Sequence, residues 1–159
     1  MHTHCRAAAD TEALGARMAR ALAVPLADPV VLYLSGELGA GKTTFARGFL
    51  RGLGVDGPVR SPTYTLLELY AAGAVTVVHL DLYRLNHAAE IEGLGLGEWA
   101  RPGHVWLIEW PEKGGGRLPR ADLALAFIVG AQGHDVEVSA GSGLGESWLK
   151  KVESQATRS

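Results

Sequence analysis

Val30-Val31-Leu32-Tyr33-Leu34-Ser35-Gly36-Glu37-Leu38-Gly39-Ala40-Gly41-Lys42-Thr43 is the stretch on which the fold turns. The apolar run Val30–Leu34 reads as a short buried strand. Gly36–Thr43 then matches G-x-x-x-x-G-K-[ST] at every defined position. Glycines let such a loop curl so that successive backbone N–H groups point inward at phosphate oxygens. The next helix, expected over residues 44–53 with Gly54 beyond its end, turns its unpaired N-terminal N–H groups and positive dipole end to the same anion. Lys42 supplies a mobile full charge, and Thr43 a hydroxyl for Mg²⁺. At this chain's own residue frequencies, chance would produce the octet in about six of a thousand such chains. With a strand before it and a helix after it, Gly36, Glu37, Leu38, Gly39, Ala40, Gly41, Lys42, Thr43 and Thr44 are the expected nucleotide-binding residues.

Outward from the loop, the pattern predicts one domain. A helix is expected from a cap at Asp10 or Thr11 to about Ala23, with Leu14, Met18, Ala21 and Leu22 on one face. Residues 65–70 and 75–80 read as strands. They are separated by only four residues, too few for a helical crossover, so they form a hairpin. A short helix is expected over 87–92, a buried strand over 105–108, a second hairpin from 123–129 and 135–139, and a last helix over 146–152. The result is an α/β fold with a mixed sheet. Residues 1–10 and 153–159 read as tails around a domain at 11–152.

Composition narrows the function classes. The chain has 159 residues, 47% hydrophobic and 20% charged, which fits a compact domain. Fifteen Lys and Arg against seventeen Asp and Glu leave a formal charge of −2. Broad nucleic-acid binding by charge neutralisation is therefore excluded, and any RNA contact would be local. A single cysteine, Cys5, excludes an internal disulfide framework. The longest apolar run, 123–129, is far short of the roughly 18 residues of a membrane helix. With no basic start ahead of an apolar stretch, a cytoplasmic protein is expected. No Asn-Lys-x-Asp element for guanine is present, since Asn86 is the only asparagine and His87 follows it, so ATP is favoured over GTP.

A phosphate loop needs a carboxylate to help hold Mg²⁺, normally from the end of a neighbouring buried strand. Asp81 and Glu109 each end an apolar run and would arrive at the sheet edge where ligands bind. One would hold Mg²⁺ and the other would orient or deprotonate the attacking water; the sequence does not assign the two. Ser61 and Thr63, with Pro62 between them, lie where a switch loop sensing the terminal phosphate is expected. His79 reads as a core histidine within an apolar strand. His2, His4 and Cys5 resemble a metal cluster but lack a scaffold.

These elements, in this order and spacing, resemble the bacterial TsaE (YjeE) family. The match is carried by Gly36–Thr43, Ser61-Pro62-Thr63-Tyr64-Thr65, Asp81-Leu82-Tyr83-Arg84 and Glu109-Trp110-Pro111. The resemblance implies a P-loop NTPase domain whose central parallel sheet is extended by antiparallel strands and flanked by helices. It implies an ATP- and Mg²⁺-dependent ATPase needed for N6-threonylcarbamoylation of adenosine 37 in tRNAs that read ANN codons. Such an ATPase acts with the TsaB–TsaD pair, resets that complex, and is not the transferase. By the same resemblance Lys42 and Thr43 serve phosphate and Mg²⁺, Glu109 binds Mg²⁺, Asp81 serves hydrolysis, and Trp110 flanks the nucleotide. Thr11 and the turn at Gly133 come near the adenine. The family often carries arginine after that turn, where this chain has His134. Two other readings compete: a small-molecule P-loop kinase, which would need an arginine-rich lid not evident here, and a non-catalytic ATP-dependent binding module.

Overall fold

The computed structural model describes residues 1–60, 62 and 64–157. The chain runs β1 (His2–Cys5), α1 (Ala8–Ala21), β2 (Val30–Gly36), α2 (Lys42–Gly52), β3 (Leu67–Ala72), β4 (Val75–Asp81), β5 (His104–Glu109), β6 (Leu123–Val129), β7 (His134–Ala140) and α3 (Gly143–Ala156). Three 3₁₀ segments, Ala88–Leu94, Leu96–Trp99 and Pro111–Arg117, follow β4 and β5. The strands form one sheet in the order β1-β7-β6-β2-β5-β4-β3. Its centre, β6-β2-β5-β4, is parallel, and β3, β7 and β1 extend it antiparallel. Both expected hairpins are present, β3–β4 and β6–β7.

Alternation along the central strands divides the core in two. Val30, Leu32 and Leu34 of β2, Val77 of β4 and Val105 and Leu107 of β5 face the layer of α1, α2 and α3. Val31, Val78, Leu80, Trp106 and Ile108 face the opposite way, toward Leu82, Leu85 and Ile91. Strands apolar at both parities are what a sheet covered on both faces requires. Phe45 and Phe49 of α2 meet Phe127 of β6 and Trp148 of α3 edge-on, at ring centroids 5.8 and 6.2 Å apart, which locks the helical layer to the sheet. The α1–α2 contact is close because glycine lines it. A Cβ on Gly48 would sit 2.1 Å from the Glu12 carbonyl oxygen.

The main departures from the sequence pattern lie toward the two ends of the chain, while β3 is shifted by two residues to Leu67–Ala72 and α1 ends at Ala21. Residues 1–10 are not a tail: His2–Cys5 pair with His134–Glu137 of β7. The Met1 ammonium donates to the Val138 carbonyl at 2.9 Å, and Cys5 is fully buried. Such a strand satisfies the outer edge of β7 with backbone bonds and needs no apolar periodicity of its own. Helix α1 starts at Ala8, because Asp10 works from inside the first turn. Its carboxylate accepts the N–H groups of Arg6 and Ala7 at 3.0 and 3.1 Å. Helix α3 is longer at both ends than 146–152. Ser142 caps it, accepting the Gly145 N–H at 3.1 Å while donating to Asp122 at 2.6 Å, and its last turn continues to Ala156.

Candidate functional site

Because β2, β4 and β5 are parallel, their C-terminal ends lie on one edge of the sheet. There β2 runs into the glycine loop, β4 ends at Asp81 and β5 ends at Glu109. In register, Leu34 pairs with Glu109 and Glu109 with Asp81, so the two carboxylates are neighbours across adjacent strands. They share the face of Leu107 and Val77, the one on which α2 lies.

The loop bends at Gly36, Gly39 and Gly41, with φ of 149°, 80° and 106°. Two of these positions are also tight. A Cβ on Gly36 would meet the Phe127 carbonyl oxygen at 2.5 Å, and one on Gly41 the His134 ring at 2.9 Å. Ala40 turns inward and packs in the core. Lys42, 4% exposed, donates to the carbonyls of Gly36 and Glu37 at 2.5 and 2.8 Å, and its ammonium lies 4.3 Å from the Trp110 ring centre. Burial pushes the Lys42 ammonium below its usual range, and Glu109, Asp81 and Glu112 oppose that. The Thr43 hydroxyl donates to Glu109, with oxygen distances of 3.1 and 3.3 Å. One Asp81 oxygen accepts the Tyr83 N–H at 3.0 Å.

Trp110 follows Glu109 in the left-handed region, φ 60°, where side chains other than glycine rarely settle. Its N–H bonds to the Leu34 carbonyl at 3.2 Å and its ring lies 5.0 Å from that of Tyr83, so neighbours on both sides hold this conformation. The result is an open cavity of about 350 Å³. Leu38, Gly39, Gly41, Lys42, Thr43 and Thr44 line one side, and Asp81, Glu109, Tyr83, Arg84 and Trp110 the other.

Most expected site residues therefore converge. Thr11 and Gly133 do not line this cavity. Thr11 is buried behind the loop, with its hydroxyl 3.0 Å from His134 Nε2, and both abut Gly41. Gly133 packs against the Cys5–Arg6 backbone. Ser61 and Thr63, the expected switch residues, lie outside the described residues. His2 and His4 bracket Asp135, at 3.4 and 2.8 Å, while Cys5 faces the core.

His79 is buried within β4, as its apolar strand pattern predicts, and its contact with the site is what the sequence left unread. Its Nε2 lies 2.6 Å from Glu109 Oε2, with both side chains buried. The available signal was parity: His79 and Asp81 are two apart on one strand and so share a face. What was lacking was the register that sets Glu109 opposite Asp81 and diagonally beside His79.

A strand, a glycine loop and a helix, with carboxylates from two parallel neighbours aimed at the loop, define a domain of the P-loop NTPase fold. The sequence model described as threonylcarbamoyl adenosine biosynthesis protein TsaE matches residues 5–135, and the chain belongs to that family. It is 42% identical over 118 residues to the tRNA threonylcarbamoyladenosine biosynthesis protein TsaE of Haemophilus influenzae, spanning 74% of this chain and 75% of the relative. To the protein of the same name from Treponema pallidum it is 36% identical over 129 residues, 81% of this chain and 92% of the relative. The crystal structure of Bacillus subtilis YdiB superimposes with a TM-score of 0.80 at 29% identity, covering 98% of this chain and 95% of that one. No helix among the described residues is long and apolar enough to cross a membrane.

Proposed function

We propose that this chain is a Mg²⁺-dependent ATPase that supports formation of N6-threonylcarbamoyladenosine in tRNA. It acts with the TsaB–TsaD pair and does not itself transfer the group. Family membership supports the pathway. The observation that carries the ATPase is the convergence of Lys42, Thr43, Asp81 and Glu109 on one cavity beneath a complete phosphate loop.

The loop N–H groups and the α2 N-terminus bind the phosphates of ATP. Lys42 exchanges its two carbonyl partners for phosphate oxygens, moving a full charge toward the bond that breaks. Among the described residues no three His, Cys, Asp or Glu side chains are grouped to cage a metal alone. The Thr43 hydroxyl beside the Glu109 carboxylate, beneath the phosphate loop, suits Mg²⁺, which keeps several waters, takes phosphate oxygens and needs only one or two protein oxygens. Thr43 and Glu109 are the residues that would hold it. When bound, Mg²⁺ neutralises phosphate charge. Asp81, oriented by the Tyr83 N–H, is left to direct the attacking water. Trp110 walls the cavity and keeps Lys42 beneath it. With a formal charge of −2, contact with tRNA is local and depends on the partner proteins.

The test is ATP hydrolysis by the purified chain, alone and with TsaB–TsaD. Turnover stimulated by the pair and abolished by Lys42→Ala is the expected result. ATP bound tightly but never hydrolysed, with or without the pair, would replace the ATPase with a nucleotide-dependent binding module.

A further inference from the structure

We infer that His79 is a positioning residue for Glu109, fixing the carboxylate orientation on which the metal site depends. The inference rests on the Mg²⁺-ATPase reading above and assigns a role within it that the loop motif does not contain.

His79 lies in β4 opposite Leu107 of β5, and Glu109 is two residues further along β5 on the same face. Diagonal neighbours on one face are within reach of long side chains. Here His79 Nε2 and Glu109 Oε2 are 2.6 Å apart, with side-chain exposures of 0% and 3%. A carboxylate only accepts, so Nε2 carries the hydrogen. Glu109 therefore receives two donors from different elements: His79 from the sheet and the Thr43 hydroxyl from α2. Two such anchors leave the carboxyl group little rotational freedom where it lines the cavity.

The other ring nitrogen strengthens the case. His79 Nδ1 is buried and has no hydrogen-bond partner among the described residues. Burying a polar atom in that way is unfavourable. Its strand neighbours on both faces are Val77, Val78 and Leu80, all fully buried, so an aliphatic residue would fill the position without that cost. What histidine adds, and valine or leucine cannot, is an N–H aimed at Glu109. Partners that orient a metal-binding carboxylate typically change metal affinity or turnover by about 10- to 100-fold when removed.

The experiment compares His79→Gln, His79→Asn and His79→Leu with the natural chain. Glutamine carries an amide N–H about as far from the backbone as Nε2, whereas asparagine ends near the Nδ1 position. Two quantities are read. One is the Mg²⁺ concentration that half-saturates ADP binding by calorimetry, with no turnover involved. The other is the split between kcat and KM for ATP. The Asn and Leu variants are expected to raise the Mg²⁺ midpoint about 10- to 100-fold and lower kcat, with ADP binding in the absence of Mg²⁺ and KM little changed. The Gln variant restores most of both. Because Gln and Asn bring the same buried amide, their difference isolates reach from packing, even if the Leu variant unfolds. A Gln variant no better than Asn, or an Asn variant with the natural Mg²⁺ midpoint, overturns the inference. A natural chain whose nucleotide binding and hydrolysis ignore Mg²⁺ overturns the ATPase reading beneath it, a distinct outcome.

Discussion

Gly41→Ala tests the geometry of the phosphate loop most directly. Gly41 has φ 106°, and a Cβ there would lie 2.9 Å from His134 Cε1 and 3.5 Å from Thr11 Cγ2. Two costs add. Holding a side chain at a left-handed backbone angle costs about 1–2 kcal/mol. Displacing the His134 ring costs about 1–3 kcal/mol more as overpacking, including strain on its hydrogen bond to Thr11. If the loop holds its shape, the sum of about 2–5 kcal/mol appears as lost stability, a fall of roughly 5–15 °C in Tm for a domain of this size. If the loop gives way, it appears as ATP affinity, about tenfold for each 1.4 kcal/mol. Gly57→Ala is the control, since Gly57 has φ 91° and nothing within 4 Å of its Cβ position. It should show the backbone cost alone and leave ATP binding untouched. The double variant Gly41→Ala with His134→Ala should recover the overpacking part only. Thermal melts and ATP calorimetry on these variants give the answer. A Gly41→Ala protein that melts with Gly57→Ala and binds ATP within twofold of the natural chain refutes the crowding argument.

Three further outcomes are expected. Trp148→Ala should lose about 3–5 kcal/mol in denaturant unfolding, because it empties a core site and strands the Met18 carbonyl that the indole N–H reaches at 2.8 Å. Cys5 is fully buried, and burial pushes its thiol above the usual range, so alkylation at pH 8 should be slow in the native protein and rapid once denaturant frees β1. The His4 hydrogen bond, with the charges of His4, His2 and His134, holds the Asp135 carboxyl below its ordinary value. A depressed acid contributes stability above its unfolded pKa and loses it as pH falls through the folded one. The protection of β1 amides against exchange, relative to their intrinsic rates at each pH, should therefore fall on acidification below about pH 4. In Asp135→Asn that step should be missing; an unchanged step in the variant would assign the acid sensitivity elsewhere.

Much of the site was legible because it is local in the chain. The octet Gly36–Thr43 carries its own geometry: glycines permit the bends, and the residues proposed to touch phosphate are sequence neighbours. Asp81 and Glu109 were legible as ends of apolar strands. The hairpins followed from connections too short for a crossover. The misplaced elements lack that self-sufficiency. His2–Cys5 has no apolar alternation and becomes a strand only because β7 offers it an unpaired edge. Thr11 and His134, 123 positions apart, come together behind Gly41 only once the first helix and the last hairpin have packed.

The amino-acid sequence by itself determined the class of loop, the parity of the strands and the residues proposed to bind phosphate, because each depends on spacing within one segment. Which carboxylate stands beside Thr43, and what holds it there, was decided by tertiary structure. His79 and Glu109 are 30 positions apart, and nothing within either segment records their pairing. It comes from the parallel register of β4 on β5, and a shift of one residue would turn the histidine to the opposite face of the sheet.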